Sequence, residues 1–438
     1  MLCDTIIEAR WVLPIVPKGE VWENRSVIIS GGKIAAIEPT ESARRRWQAP
    51  DTVSLPESLV MPGFVDLHTH AAMNLLRGRG ADLPLMEWLN TAIWPAEGKL
   101  MSADFVREGS YLAGREMAMS GITCASDQYF FPEDAAEGLR KAGLRCAVAG
   151  IVIGFPSAWA KNDAEYLDKC EALLRNHRSD PLVHATVGPH APYTVNDETL
   201  RRCAELSERY GVPIHMHVGE TATEVADSLK NFGERPLARL KRVGILNERL
   251  IAVHSVHSDD ADIAMMAAAH CSVCHCPSSN LKLASGFAPV QRYLDAGINL
   301  GIGTDGAASN DKLDMLGETR LAAMLAKAVA GRADAARVYD MLEAATLGGA
   351  RALGWDSEIG SLENGKAADL IAVDLSHENC LPVTDPAAQL LYAADRENVS
   401  HVWVAGDLVA FRPQQNDYLN KKASFEMKTL AKKWQNMP

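Results

Sequence analysis

Side chains of the kinds that hold a divalent cation recur in this sequence at short spacings. His68 and His70 stand two apart in Asp66-Leu67-His68-Thr69-His70, His217 closes Pro213-Ile214-His215-Met216-His217, and Asp305 lies in Gly303-Thr304-Asp305-Gly306. On a strand, residues two apart face the same side, so His68 and His70 can share one ion. Imidazole nitrogen and carboxylate oxygen suit Zn²⁺ or Fe²⁺, and a site that leaves one ligating position for water is catalytic rather than structural. A solitary His-x-His is more often ordinary strand; its recurrence with Asp305 after other apolar runs turns the reading toward a metal. Two further residues fit the same chemistry. Glu220 lies just beyond His217, where strand gives way to loop, and beside an activated water it becomes a proton shuttle. His254, after the next apolar run, can partner that water, whereas His215 and His257 are read as structural.

Other clusters carry less. His270-Cys271-Ser272-Val273-Cys274-His275-Cys276 lacks the second ligand pair that a structural zinc site needs, so its thiols are read as buried strand residues. The His-x-Glu with Pro-Cys-x-x-Cys pattern of the cytidine-deaminase type of zinc site does not occur. Gly78-Arg79-Gly80 and Gly301-Ile302-Gly303 lack the spacing of a dinucleotide-binding loop.

The elements that must position the ligands alternate. Short apolar runs end near Val65, Ile122, Ile151, Thr186, Ile214, Val253, Val273 and Ile302, with helical stretches at Ala103 to Met119, Asp197 to Tyr210, Asp259 to Ala269, Asp311 to Lys327 and Ala335 to Leu347. That is the pattern of βαβ units, and eight strands close an α/β (β/α)₈ barrel whose active site lies at the strands' C-terminal ends. Both termini are instead rich in short β-type runs: Asp4 to Ile7, Ser26 to Ile29, Ala368 to Asp374 and Val399 to Gly406. The expected organisation is a small β-sandwich built from residues 1–60 and 361–438, with the barrel at 61–360 inserted between, and a helix-rich tail after Asp417.

With 438 residues, 47% hydrophobic and 23% charged, the chain is able to bury a large core. A net charge of -12 disfavours nucleic acid and anionic membrane as partners, because both select basic surfaces. No apolar run approaches the roughly 18 residues of a spanning helix, and Asp4, Glu8 and Arg10 interrupt the start, so a cytoplasmic protein with reduced thiols is expected. A small-molecule substrate and a homo-oligomeric assembly are expected.

The chain resembles the amidohydrolase superfamily through Pro62-Gly63-Phe64-Val65-Asp66-Leu67-His68-Thr69-His70, His217 with Glu220, His254, and Gly303-Thr304-Asp305-Gly306-Ala307-Ala308-Ser309-Asn310. Asn364 to Leu370 resembles that family's return to its β-sandwich. Within it, Leu75-Leu76-Arg77-Gly78, Trp94-Pro95-Ala96-Glu97, Gly188-Pro189-His190-Ala191-Pro192-Tyr193 and Ser278-Ser279-Asn280-Leu281-Lys282-Leu283 are similar to the 5′-methylthioadenosine/S-adenosylhomocysteine deaminases. The resemblance implies hydrolytic deamination of an adenine-type nucleoside, one metal ion (zinc, with iron the alternative) on His68, His70, His217 and Asp305, and Glu220, His254 and Asp305 as catalytic groups. It further implies that Glu97 takes the ribose hydroxyls and that His190 contacts substrate, with Glu220 and Asp305 also facing it. His190 stands where relatives with two metals carry a lysine. The segment Ala149 to Pro156 lacks the arginines that hold a homocysteine carboxylate, so a methylthio tail is expected, with Phe155, Trp88 and Trp94 as apolar lining. Alternatives are another base or heterocycle (guanine, cytosine, triazine) and a metal-binding protein without catalysis.

Overall fold

A computed structural model describes residues 1–177, 179–412, 426, 429–430 and 433–434. Its strands fall into two sheets. The chain begins with β1 (Thr5–Val12), β2 (Trp22–Ser30), β3 (Lys33–Pro39) and β4 (Asp51–Pro62). The eight strands β5 (Phe64–Thr69), β6 (Ile122–Asp127), β7 (Arg145–Val152), β8 (Val183–Pro189), β9 (Ile214–Val218), β10 (Leu250–His254), β11 (Ser272–His275) and β12 (Asn299–Ile302) follow, paired in chain order and in parallel. β13 (Leu370–Asp374), β14 (Val399–Val404) and β15 (Asp407–Phe411) then return to the first sheet, whose order is β15-β14-β13-β4-β1-β2-β3.

The parallel strands are covered on both faces, which is why β7 reads Arg-Cys-Ala-Val-Ala-Gly-Ile-Val with every residue buried and no polar alternation. The ends of the eight-stranded sheet meet at the site: the Asp305 amide donates to the His68 carbonyl at 2.8 Å, and Thr304 donates from its amide (2.9 Å) and hydroxyl (2.6 Å) to the buried Asp66 carboxylate. Three sequence readings of strand position need correction: Ile122 and Ile214 open β6 and β9 rather than ending them, and β5 runs on past Val65 to Thr69. β6 and β9 run on through polar residues, Ser126 and Asp127 in the first and His215 and His217 in the second, which find polar partners in the barrel mouth: Asp127 Oδ1 accepts from the Ala71 amide (2.6 Å), His215 lies between His68 and Ser126, and His217 Nδ1 meets the His190 carbonyl.

The helices between strands have local reasons for their limits. The helix Ala103–Met119 starts where the Ser102 hydroxyl accepts from the Phe105 amide (3.1 Å), and Asp197–Tyr210 starts where Asn196 accepts from Thr199 (3.0 Å) and stops at left-handed Gly211. Between β5 and that first helix lies a segment over the barrel mouth in which Leu89–Ile93 forms a single π-turn before the helix Trp94–Leu100.

The companion sheet is mixed: β1 pairs parallel with β4, and its other ladders are antiparallel. It curls so that Ile34 of β3 exchanges backbone hydrogen bonds with Lys366 and Gly365, just ahead of β13, enclosing Ile7, Val27, Ile29, Leu370 and Trp403. β4 passes into β5 through Gly63, where a Cβ would lie 2.1 Å from the Thr123 side chain, so only glycine lets the two sheets join this closely. The tail expected after Asp417 lies largely outside the described residues. Of it, Trp434 packs edge-on against Phe105 at 5.2 Å and Glu426 accepts from Tyr111 at 2.9 Å, both on the helix Ala103–Met119 of its own chain. Among the described residues no helix is long and apolar enough to cross a membrane.

Candidate metal and active site

All eight residues singled out in the sequence line one region. His68 and His70 sit at the end of β5, His217 in β9, His254 at the end of β10, Asp305 after β12, Glu220 after β9, His190 after β8 and Glu97 on the helix above. His70, Glu97, His190, His217, Glu220, His254 and Asp305 line a cavity open to solvent, with His68 buried beside it.

Three histidines have one ring nitrogen engaged and the other left for a ligand. His70 Nδ1 donates to the Gln128 carbonyl (2.6 Å) and His217 Nδ1 to the His190 carbonyl (2.7 Å). His68 Nδ1 pairs with His215 Nε2 at 2.8 Å, and His215 Nδ1 lies 3.3 Å from Ser126 Oγ. His68 Nε2 is buried without a hydrogen-bond partner, its nearest carboxylate oxygen being Asp305 Oδ1 at 3.5 Å; His70 Nε2 is 3.4 Å from the same oxygen. A buried imidazole nitrogen left bare costs free energy unless something binds it, and outer partners that fix Nδ1–H tautomers are the usual setting of histidine ligands. Two triads have donor atoms within 4.8 Å of one another: His68 with His70 and Asp305, and His68 with His217 and His254. The donor set therefore fits one divalent ion of the zinc or iron type. Burial pushes Asp305 up, but the hydrogen bond and charge of His68, with His70 and His254, outweigh it and hold the carboxyl well below its ordinary range. Burial, with His70 and His68 nearby, pushes His190 down to about 3, so it stands neutral, its Nδ1 3.0 Å from Thr194 Oγ1.

The proton-handling groups lie beside this cluster. His254 Nδ1 is 2.8 Å from Asn280 Oδ1, which accepts its hydrogen and turns a bare Nε2 toward Glu220 Oε2 (3.7 Å) and Asp305 Oδ2 (4.0 Å). Both His254 (φ 68°) and Asp305 (φ 58°) hold left-handed backbone, a strain that concentrates at functional sites. Glu220 is 5% exposed; burial raises its carboxyl, the charge of His254 opposes this, and Ser285 Oγ donates to Oε1 at 3.1 Å. A carboxyl raised in this way can hold a proton and release it to a base.

The apolar lining differs in part from the sequence reading. Trp88 and Trp94 line the cavity, together with Leu89, Ile151 and Ile153. Phe155 is not part of that wall; it is 37% exposed and meets the Trp94 ring edge-on at 5.8 Å. No lysine or arginine is among the described lining residues. Gly150 points away, since a Cβ there would lie 2.6 Å from the Cys170 sulfur. Cys274 and Cys276 are buried free thiols, 4.0 Å apart, in neither candidate metal triad.

Four residues that sequence reasoning left unassigned support the site: Tyr129, Glu224, Asn280 and Ser285. Thr221-Ala222-Thr223-Glu224 has the spacing of a capping box, and Thr221 Oγ1 does accept from the Glu224 amide (3.1 Å). The Glu224 carboxylate, however, turns outward from that helix and accepts from the amides of Gly219 (2.8 Å) and Glu220 (2.9 Å), clamping the turn that carries Glu220.

The barrel with a histidine and aspartate cluster at its strand ends defines a class, and sequence comparison agrees: the Amidohydrolase family matches residues 59–409, so the chain belongs to that family. Among its relatives, the 5-methylthioadenosine/S-adenosylhomocysteine deaminase of Saccharophagus degradans is 43% identical over 435 residues, covering 98% of each chain, and that of Thermodesulfovibrio yellowstonii is 40% identical over 409 residues, covering 92% of each. In three dimensions the chain is similar to an adenosine deaminase from Xanthomonas campestris with bound zinc (TM-score 0.96, 46% identity, 100% of this chain and 99% of that one). It is also similar to the zinc-complexed atrazine chlorohydrolase of Arthrobacter aurescens (TM-score 0.88, 25% identity, 98% and 100%).

Proposed function

We propose that this protein is a metal-dependent aminohydrolase that deaminates the adenine ring of 5′-methylthioadenosine to the inosine analogue and ammonia. The reading extends to S-adenosylhomocysteine or adenosine only as lesser substrates. The observation that carries it is the convergence of bare imidazole nitrogens, Asp305 and a protonatable Glu220 on one cavity. The names of the relatives support the substrate class.

His68, His70, His217 and Asp305 would hold one divalent ion, zinc in this reading. When bound, such an ion supplies a Lewis acid that lowers the pKa of water from about 15.7 to about 7. His254 offers its bare Nε2, and Asp305 its second oxygen, to orient the attacking water and accept its proton. Glu220, raised by burial, gives a proton to ring N1, so that C6 takes the nucleophile without building charge on the ring. The proton collected by His254 and Asp305 then goes to the departing amine, and as the C6–N bond breaks the C6 hydroxyl returns a proton to the Glu220 carboxylate, which leaves the C6 carbonyl and restores the acid. Glu97 would receive the ribose hydroxyls, and the neutral His190 would face the substrate across the cavity.

The tail preference rests on the wall. Trp88, Trp94, Ile151 and Ile153 offer apolar contact and no cation, which suits a thioether methyl and leaves an amino-acid carboxylate unpaired. Ammonia release from 5′-methylthioadenosine, S-adenosylhomocysteine, adenosine, guanine and cytosine tests this. The expected order places 5′-methylthioadenosine first in kcat/KM; turnover confined to guanine or cytosine, or none on metal-loaded protein, would overturn it.

A further inference from the structure

Tyr129 joins the region above the cavity to the metal cluster. It follows β6, and the residue before it is fastened on three sides: the Gln128 amide donates to the Thr69 carbonyl (3.0 Å), its side-chain Nε2 donates to the His215 carbonyl (2.8 Å), and its carbonyl accepts from His70 Nδ1 (2.6 Å). The Tyr129 ring is buried, tilted against Phe130 at 5.6 Å and against His70 at 6.1 Å, so its hydroxyl has little room to move. That hydroxyl donates to Glu97 Oε1 at 2.5 Å.

Glu97 has the opposite character. Its helix follows directly on the π-turn Leu89–Ile93, an irregularity that recurs at functional sites, and the side chain has three rotatable bonds. In a mostly apolar wall its carboxyl is pushed up to about 7 by burial, and the Tyr129 hydrogen bond opposes that rise. Burial, then Glu97 itself, raises the phenol well above its ordinary value, so Tyr129 stays protonated and acts as donor. One carboxylate oxygen is thus held, and the remaining lone pairs point to a fixed place.

We infer that Tyr129 is a positioning residue that sets the Glu97 carboxylate at a fixed place beside the metal ligand His70, and thereby makes the site selective for a vicinal diol over singly deoxygenated sugars. This rests on the reading of Glu97 as the ribose acceptor. A carboxylate so held receives two hydroxyls without first losing rotamer freedom, and an analogue lacking one hydroxyl leaves an acceptor buried and unpaired. Without the phenol, Glu97 must be ordered by the substrate itself. That cost falls on binding of the diol and not on the ring chemistry.

The test compares 5′-methylthioadenosine with its 2′-deoxy and 3′-deoxy counterparts on metal-loaded full-length wild type, Tyr129→Phe and Glu97→Ala. Tyr129→Phe is expected to raise KM for the ribonucleoside roughly five- to tenfold, the cost of ordering about one side chain, while kcat moves less. The kcat/KM ratio of ribo to deoxy substrate should fall by the same factor, with metal content unchanged. An equal loss on all three substrates, or an unchanged ratio, would overturn the role of Tyr129. Glu97→Ala separates the two levels. If it abolishes discrimination while Tyr129→Phe does not, only the positioning role fails. If Glu97→Ala discriminates as wild type does, or wild type turns over none of the three, the reading of Glu97 falls and the inference falls with it.

Discussion

His68 and His215 meet ring to ring, Nδ1 to Nε2, at 2.8 Å, with the His215 Nδ1 in turn 3.3 Å from Ser126 Oγ. For His68 to offer Nε2 to an ion, its Nδ1 must carry the hydrogen, so His215 accepts and Ser126 closes the chain. Removing the acceptor should cost metal affinity while leaving the ligands in place. His215→Phe is expected to weaken the ion by about 10–100-fold, the usual loss when an outer partner of a histidine ligand is removed. Competition with a chromophoric chelator measures it; affinity equal to wild type would show that the pairing is packing only.

Glu220 is held from two directions, by Ser285 on its carboxyl and by Glu224 on its backbone amide. Glu220→Gln preserves size but cannot give up an acid proton at neutral pH. Metal content and melting temperature should match wild type while kcat drops by about 10²–10⁴-fold, the usual contribution of a positioned acid. Near-normal ammonia release by this variant would remove Glu220 from the chemistry.

How much of this was legible in the sequence depends on how far apart the partners lie. His68 and His70 declare themselves by strand period, and eight apolar runs between helical stretches spell the barrel, because a parallel strand buried on both faces must be nearly all apolar. The strand limits at Ile122 and Ile214 escape the apolar pattern because those strands continue as polar residues into the barrel mouth. Tyr129 was invisible for another reason. Tyr129-Phe130-Phe131 reads as core, and its hydroxyl's partner is 32 residues upstream on a segment whose course over the mouth no local periodicity reports. Asn280 lies in Ser278 to Leu283, yet its contact with His254 spans 26 residues and the whole of β11.

Asp369 and Arg145 tie the curled sheet to the foot of β7. The pair is bidentate (2.9 and 3.3 Å), each side chain is 2% exposed, and Asp369 also accepts from the Ala405 amide at 2.7 Å. Asp369→Ala leaves the buried guanidinium with only the half-exposed Glu358 at 3.9 Å and the Pro181 carbonyl at 2.7 Å, which should cost about 3–5 kcal/mol in urea unfolding. Adding Arg145→Met should recover much of that loss. If the single variant costs under about 1 kcal/mol, the pair is as weak as exposed ion pairs are.

His184, on β8, stacks on Trp355 with ring centroids 3.6 Å apart. Burial first, and the charge of Arg145 second, lower its pKa from 6.5 to about 4. The sign follows from linkage: the unfolded chain takes up a proton near pH 6.5 while the folded one resists until about pH 4, so this stabilisation is complete above the higher value and is lost as pH falls between them. His184→Phe keeps a ring on Trp355 and removes the titration. Its stability, followed by denaturant melts at several pH values, should decline less steeply than wild type between pH 6.5 and 4. Parallel slopes would mean that His184 is protonated as readily in the folded protein as in the unfolded chain.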